Sequence, residues 1–435
     1  MKKRISTILA LSMTLVTMTG CGSTPPPATT DTTTADSIPS TSDSEMDAQV
    51  VETIELVPED GASLVYWTHR PEFAKVMAEQ FEAEYGVSVT VEEVGFDSIS
   101  KLSLEGPAGN AADVVWGSHS EIVTGYNSGI FLTVDPILQA QLQDELHAAA
   151  VDATTRDGNM YGYPMSIETI ALVYNKDLVD TPATTFEEIA EACIEWNDPS
   201  QNLFYYANTI GGYSQYPLVS AGGFELHGAD GLDNDNPGYD TEEFIRGLEN
   251  VALMGEMFPI KAADIRMDGV SFTEQNFIEG KTVYLQTGPW AMKSLTESGV
   301  NFGVIPHPTI GGNTAITMGG LAVNYVSAFT KYPIAAQLFA TYLVSEEAAA
   351  TLYMTNGDIT SRADYKEIEG LKEDTNLLIF AEQFEACIAQ PSVSRMNYYW
   401  TISDAIYGAV HDGDLTPEEG AAKAQADFEA LVASE

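Results

Sequence analysis

Apolar positions along this chain fall into two alternating periodicities, and their order predicts its elements. Ser63 to Trp67 reads as a short apolar strand. Pro71 then opens a segment in which Phe73, Val76, Met77 and Phe81 recur at helical spacing. Gly86 ends that helix, and Val87, Val89 and Val91 alternate as the next strand. Asp113 to Trp116 predicts another. Ile167 to Tyr174 is a long apolar run ending in Asn175-Lys176-Asp177, and a Thr-rich turn precedes a helix from Phe186 to Trp196. Thr282 to Leu285 reads as a strand, followed by a tight Gly288-Pro289 turn. Ile334 to Val344 is an amphipathic helix, and Thr416, Pro417 and Glu419 supply the capping box of the last one. Strands alternating with helices predict an α/β fold with a mostly parallel sheet and right-handed crossovers. Ligands of such sheets collect at the carboxyl ends of the strands, so the loops after Trp67 and Trp116 are candidate sites.

The beginning of the chain has a different pattern. Lys2, Lys3 and Arg4 precede an uncharged stretch from Ile5 to Thr19. That stretch falls short of the about 20 apolar residues a bilayer span needs and fits a secretory signal over residues 1–20. Met18-Thr19-Gly20-Cys21 resembles a bacterial lipobox, with Met18 in place of the usual Leu, which implies lipidation of Cys21. Gly22 to about Asp60 is rich in Thr, Ser, Pro and acidic residues and cannot bury enough apolar surface to offset its ordering entropy. It reads as a flexible tether. Cys193 and Cys387 both lie in helical contexts and read as two small buried thiols, and no Cys/His cluster has zinc spacing.

A formal net charge of -45 argues against nucleic acid and anionic membrane surfaces as ligands. It admits a cationic ligand, although spread-out carboxylates more often mark a solvated surface. The run Asp230-Gly231-Leu232-Asp233-Asn234-Asp235 matches a calcium loop in composition only, lacks the closing Glu, and reads as a solvated acidic loop. Neither a metal nor another cofactor is expected. There is no nucleophile elbow, HExxH motif or P-loop, so catalysis is not expected.

Several ordered motifs then carry a resemblance. They are Asp113-Val114-Val115-Trp116, Tyr126-Asn127-Ser128-Gly129, Tyr163-Pro164 through Glu168 to Tyr174-Asn175-Lys176-Asp177-Leu178, and Phe277-x-x-Gly280-Lys281 leading to Gly288-Pro289-Trp290. In order and spacing the body from about Ala62 onward resembles the maltodextrin-binding branch of bacterial extracellular solute-binding proteins of ABC importers. The resemblance implies a two-lobed periplasmic-binding-protein-like fold with discontinuous lobes and a hinge. One lobe would hold residues 62–166 plus 321–371, and the other 167–317 plus 374–435. Crossings would fall near Ser166-Ile167, Met318 to Gly320, and 372–374. It implies a monomer, anchored by lipid on the outer face of the membrane, that captures an oligosaccharide and delivers it to the permease subunits.

Site residues follow from the same resemblance. Trp290 and Trp400 match stacking tryptophans, Tyr213 a cleft tyrosine, and Glu168 a carboxylate that hydrogen-bonds sugar hydroxyls. His69, Arg70, Trp116, Ser120 and Glu121 occupy the matching loops, and one of Tyr398 and Tyr399, taken as Tyr399, is expected to face ligand. The sequence departs from the family where Ser120-Glu121 replace an Asp-Arg pair, where Gly117 replaces a tryptophan, where Gly211 replaces a glutamate, and where Asp404 replaces an arginine. The chemistry is independent of the family. A pyranose offers an apolar C–H face to flat aromatics and a hydroxyl rim to carboxylates and amides. The substituted carboxylates leave a cationic solute such as a polyamine as the alternative, through cation–π contact. A glycosidase with two facing carboxylates and a ligand sensor remain as readings from other classes.

Overall fold

The computed structural model describes residues 56–265, 272–391 and 393–435. The strands are β1 (Ser63–Thr68), β2 (Ser88–Glu93), β3 (Val114–Ser118), β4 (Thr155–Arg156), β5 (Asn159–Met160), β6 (Tyr163–Glu168), β7 (Ala171–Asn175), β8 (Phe204–Ala207), β9 (Thr282–Thr287), β10 (Phe302–Ile305), β11 (Met318–Val326), β12 (Ile359–Thr360) and β13 (Ile388–Ala389). They form two main sheets. The first has the order β12-β6-β11-β3-β1-β2, with β13 added beside β11. The second has the order β10-β7-β9-β8. The signal stretch, Cys21 and most of the tether lie outside the described residues.

Local chemistry explains the elements. The helix Pro71–Tyr85 has Pro at its first turn, buries Phe73, Ala74, Met77 and Phe81, and ends at Gly86 in the left-handed region with φ of 73°. Val76 sits on its outer flank. Thr185 and Glu188 form a capping box on the helix Phe186–Trp196, as Thr416 and Glu419 do on Pro417–Val432. Strands β9 and β11 are buried along their full length, whereas β2 is largely exposed and ends in Glu92 and Glu93. Carboxylates on that edge discourage a further strand from pairing there. The last part of the expected tether is fixed: Glu59 accepts backbone N–H bonds from Ile334 and Ala335 at 2.8 and 2.9 Å, which satisfies the first turn of the helix Pro333–Tyr342.

The expectation of a mostly parallel sheet needs correction. β1 pairs parallel with β2 and β3, but β11 runs antiparallel to both β3 and β6, and β12 antiparallel to β6. The chain leaves the first sheet, builds the second, and returns as β11 in the opposite direction, which alternation of strands and helices along the sequence does not reveal. The apolar run from Ile167 to Tyr174 divides likewise. Ile167 and Glu168 complete β6 in the first sheet, Thr169 and Ile170 cross, and Ala171 begins β7 in the second. The crossing expected near Ser166-Ile167 therefore falls a little later.

A buried polar network ties the crossings together. Thr169 Oγ1 lies 2.8 Å from Thr317 Oγ1 and 3.0 Å from the Met318 carbonyl. Gln383, on the helix Thr375–Glu385, donates to Thr317 Oγ1 at 3.3 Å and accepts the His307 N–H at 3.0 Å. Leu377, Phe380, Ala381 and Phe384 of that helix share one core with Ile167 and Leu321 of the first sheet and Val173 and Leu285 of the second. A separate core, including Phe204, Tyr206, Tyr284, Val251 and Ile406, lies under the second sheet. Cys193 and Cys387 are unpaired, Cys193 buried and Cys387 partly so, and burial pushes both thiols up to about 12. Burial thus favours the protonated thiol at both positions.

Candidate ligand-binding site

The parallel strands β1, β2 and β3 place their carboxyl ends on one edge of the first sheet. His69 follows β1, Phe96 lies in the loop after β2, and Trp116 is on β3. The His69 ring centroid is 3.8 Å from that of Trp116 and 6.0 Å from Phe96, and Phe96 meets Trp116 edge-on at 5.2 Å. Arg70 is buried and forms an ion pair with Asp358, and its guanidinium carbon stands 5.9 Å from the Trp116 ring. Its Nη1 donates to His69 Nε2 at 2.7 Å. Burial, assisted by the Arg70 charge, pulls the His69 pKa down to about 3, so the imidazole is neutral and accepts that bond. Trp116 is 4% exposed and its Nε1–H has no partner.

Ser120 and Glu121 follow in the short 3₁₀ turn His119–Glu121, where Ser118 Oγ accepts from Ser120 N at 3.4 Å and from Ser120 Oγ at 3.2 Å. Both residues are half-buried, and burial raises the Glu121 pKa. His119 is buried, and its Nδ1 accepts the Leu321 N–H at 3.1 Å. The glycine at 117 has a steric cause: a Cβ there would stand 3.0 Å from Ile99 Cδ1 and 3.2 Å from Tyr325 Cε2. Trp67 belongs to the core, with Nε1 bonded to Glu92 at 2.8 Å and Lys101 Nζ 3.9 Å from its ring.

The second group comes from loops and helices around the second sheet. Trp290 follows β9 and is 43% exposed. Its indole lies against Gly288, where a Cβ would meet Cζ3 at 2.2 Å. Tyr213 opens the helix Gly212–Ala221, and its ring is 6.4 Å from that of Trp290. Trp400, on the helix Met396–His411, is half-buried, with Cε3 3.2 Å from a Cβ built at Gly212. Asp404, one turn along that helix, accepts the Gly212 N–H at 3.0 Å. Close backbone approach at Gly212 and Gly288 thus seats two indoles.

Glu168 connects the groups. Its carbonyl accepts the Tyr213 hydroxyl at 3.4 Å, and its side chain lies on Gly320, where a Cβ would stand 2.7 Å from Oε1. Burial raises its pKa, Arg70 opposes that and Asp358 adds to it, so all three charges share one neighbourhood. Lys293, one turn beyond Trp290, donates to the Thr355 carbonyl at 2.7 Å, at the end of the helix Glu346–Asn356 that leads to Asp358. The arrangement supplies aromatic side chains at both sheets, with Glu168 joining Tyr213 of one group to the charges of Arg70 and Asp358 in the other.

Tyr399 departs from expectation. It is buried, and its hydroxyl donates to the Gly212 carbonyl at 2.7 Å, so it anchors the helix start that carries Tyr213. Tyr398 points elsewhere, toward Glu435 at 3.1 Å. Two residues were missed. Phe96 had a legible signal, an apolar residue in Gly95-Phe96-Asp97 after a parallel strand. Asp358 had none, because only the fold brings it to Arg70. Among the described residues no group of three or more His, Cys, Asp or Glu is placed to hold a metal ion.

Aromatic side chains thus gather at the loop edges of both sheets. The chain belongs to the bacterial extracellular solute-binding proteins, whose family model matches residues 76–379. It is 26% identical over 344 residues to the maltodextrin-binding protein MdxE of Bacillus subtilis, covering 77% of this chain and 81% of that one. It is 25% identical over 380 residues to a galactooligosaccharide-binding protein of the same organism, covering 82% and 87%. Among solved structures, a cyclo/maltodextrin-binding protein complexed with maltotetraose superposes with a TM-score of 0.75 at 27% identity, covering 85% of this chain and 97% of that chain. MalX from Streptococcus pneumoniae, in complex with maltopentaose, gives 0.76 at 23% identity, covering 85% and 100%, and supports the fold.

Proposed function

We propose that this protein captures an extracellular oligosaccharide between the loop edges of its two sheets and delivers it to the permease subunits of an ABC importer, without catalysing a reaction. The observation that carries the reading is the exposed indole of Trp290, seated on Gly288 and beside Tyr213, whose hydroxyl bonds the Glu168 backbone carbonyl. A flat exposed ring with polar groups around it suits a pyranose, whose face is apolar and whose rim is polar. Trp400, His69, Arg70, Trp116, Ser120 and Glu121 complete the proposed site. Lobes of about 62–168 plus 318–371 and 171–317 plus 374–435 would close on the ligand about the crossing segments. A lipid on Cys21 would hold the protein at the outer face of the membrane. The relatives that bind maltodextrin and galactooligosaccharide support a carbohydrate.

One observation favours a second reading, a cationic solute such as a polyamine. None of the ion pairs among the described residues involves Glu121, Glu168 or Asp404. A thermal-shift panel of maltodextrins, galactooligosaccharides and polyamines against the full chain separates the two. A ligand at 100 times its Kd adds about 2.7 kcal/mol of stability. A shift with a saccharide is expected; a shift with polyamines alone would replace the carbohydrate reading.

A further inference from the structure

Phe96 is the most exposed large apolar side chain among the described residues at 85%, yet it does not stand alone. It meets the edge of Trp116 and stacks beside His69, and those two rings are held in turn by the Arg70–Asp358 pair. A ring that touches two others yet leaves most of its surface in solvent is placed to receive another flat apolar surface. The loop is also at the carboxyl end of a parallel strand, where ligands of such sheets collect. At Gly117, Ile99 and Tyr325 leave no room for an aromatic, so on this side the platform comes from the loop after β2.

We propose that Phe96, backed by His69 and Trp116, is a stacking platform for one sugar unit on the first sheet. This rests on the carbohydrate reading of the site and extends it. Trp290 stacks one unit from the second sheet and Phe96 another from the first, so the ligand is at least a disaccharide and both sheets grip it. Phe96 itself determines affinity and contributes little to folding, because most of its surface is already in water.

The test is isothermal titration of the full chain with maltotetraose and with a galactooligosaccharide, comparing wild type with Phe96→Ala, Phe96→Trp and Trp290→Ala. Thermal unfolding of each variant checks the fold. Expected is an unchanged unfolding midpoint, a loss of about tenfold in affinity for Phe96→Ala, and near-complete recovery in Phe96→Trp. Binding by the wild type that is lost in Trp290→Ala but unchanged in Phe96→Ala overturns the platform and leaves the carbohydrate reading standing. A wild type that binds neither saccharide but responds to polyamines overturns both.

Discussion

The two loop edges hold their aromatic rings by different means. At the second sheet, Trp290 and Trp400 lie against Gly288 and Gly212, so backbone that lacks a Cβ fixes each indole. At the first sheet, Trp116, His69 and Phe96 lean on one another, and their support is electrostatic: the buried Arg70–Asp358 pair, with Glu168 close by. The first kind of support is steric, and for Trp290 it is also local, since Gly288 is two residues away. The second depends on a residue almost three hundred positions away in sequence, and is the more vulnerable to loss of a single charge.

The largest expected effect tests that difference. Arg70→Met removes the cation and leaves Asp358, with a side chain 13% exposed, without its ion-pair partner. Breaking a buried pair from one side costs about 3–5 kcal/mol. Denaturant unfolding should show a loss of that order, and a loss below about 1 kcal/mol would make the pair a surface-type contact. Next, Gly288→Ala should move the Trp290 indole while leaving the backbone unstrained, since Gly288 has φ of -116°. Saccharide affinity should fall about tenfold, or about 1.4 kcal/mol, in titration calorimetry, with little change in stability. Unchanged affinity would remove Trp290 from the site.

The smallest effect is on pH dependence. Burial raises the folded-state pKa of Glu168, so above the usual carboxylate range the unfolded chain ionises while the folded chain resists it. Glu168 therefore subtracts stability as pH rises through that range and on toward its raised folded pKa. Glu168→Gln should be the more stable protein at neutral pH, and its advantage should vanish below the ordinary glutamate pKa. Urea midpoints measured across that range check the sign; an advantage that grows on acidification would reverse the assignment.

The seat of Trp290 was legible in the sequence because its support is local. Gly288-Pro289-Trp290 is a continuous motif, and the glycine that seats the ring is two residues from it. Glu168 was likewise marked by its place after Tyr163-Pro164. The first edge was less legible. His69, Arg70 and Trp116 could be placed at strand ends, but Phe96 gained meaning only when β1, β2 and β3 aligned their carboxyl ends. Tyr399 shows the opposite failure: its position beside Trp400 did not reveal that its hydroxyl turns inward to Gly212.

By itself the sequence determined the elements, because periodicity, capping residues and turn glycines act within a few residues of one another. Through its ordered motifs it also indicated the family to which the chain belongs. The tertiary structure decided the direction of β11, the point where the chain crosses between sheets, and the partnership of Arg70 with Asp358. Those depend on contacts between segments far apart in the chain, and local propensity carries no information about which distant strand, glycine or carboxylate a residue will meet.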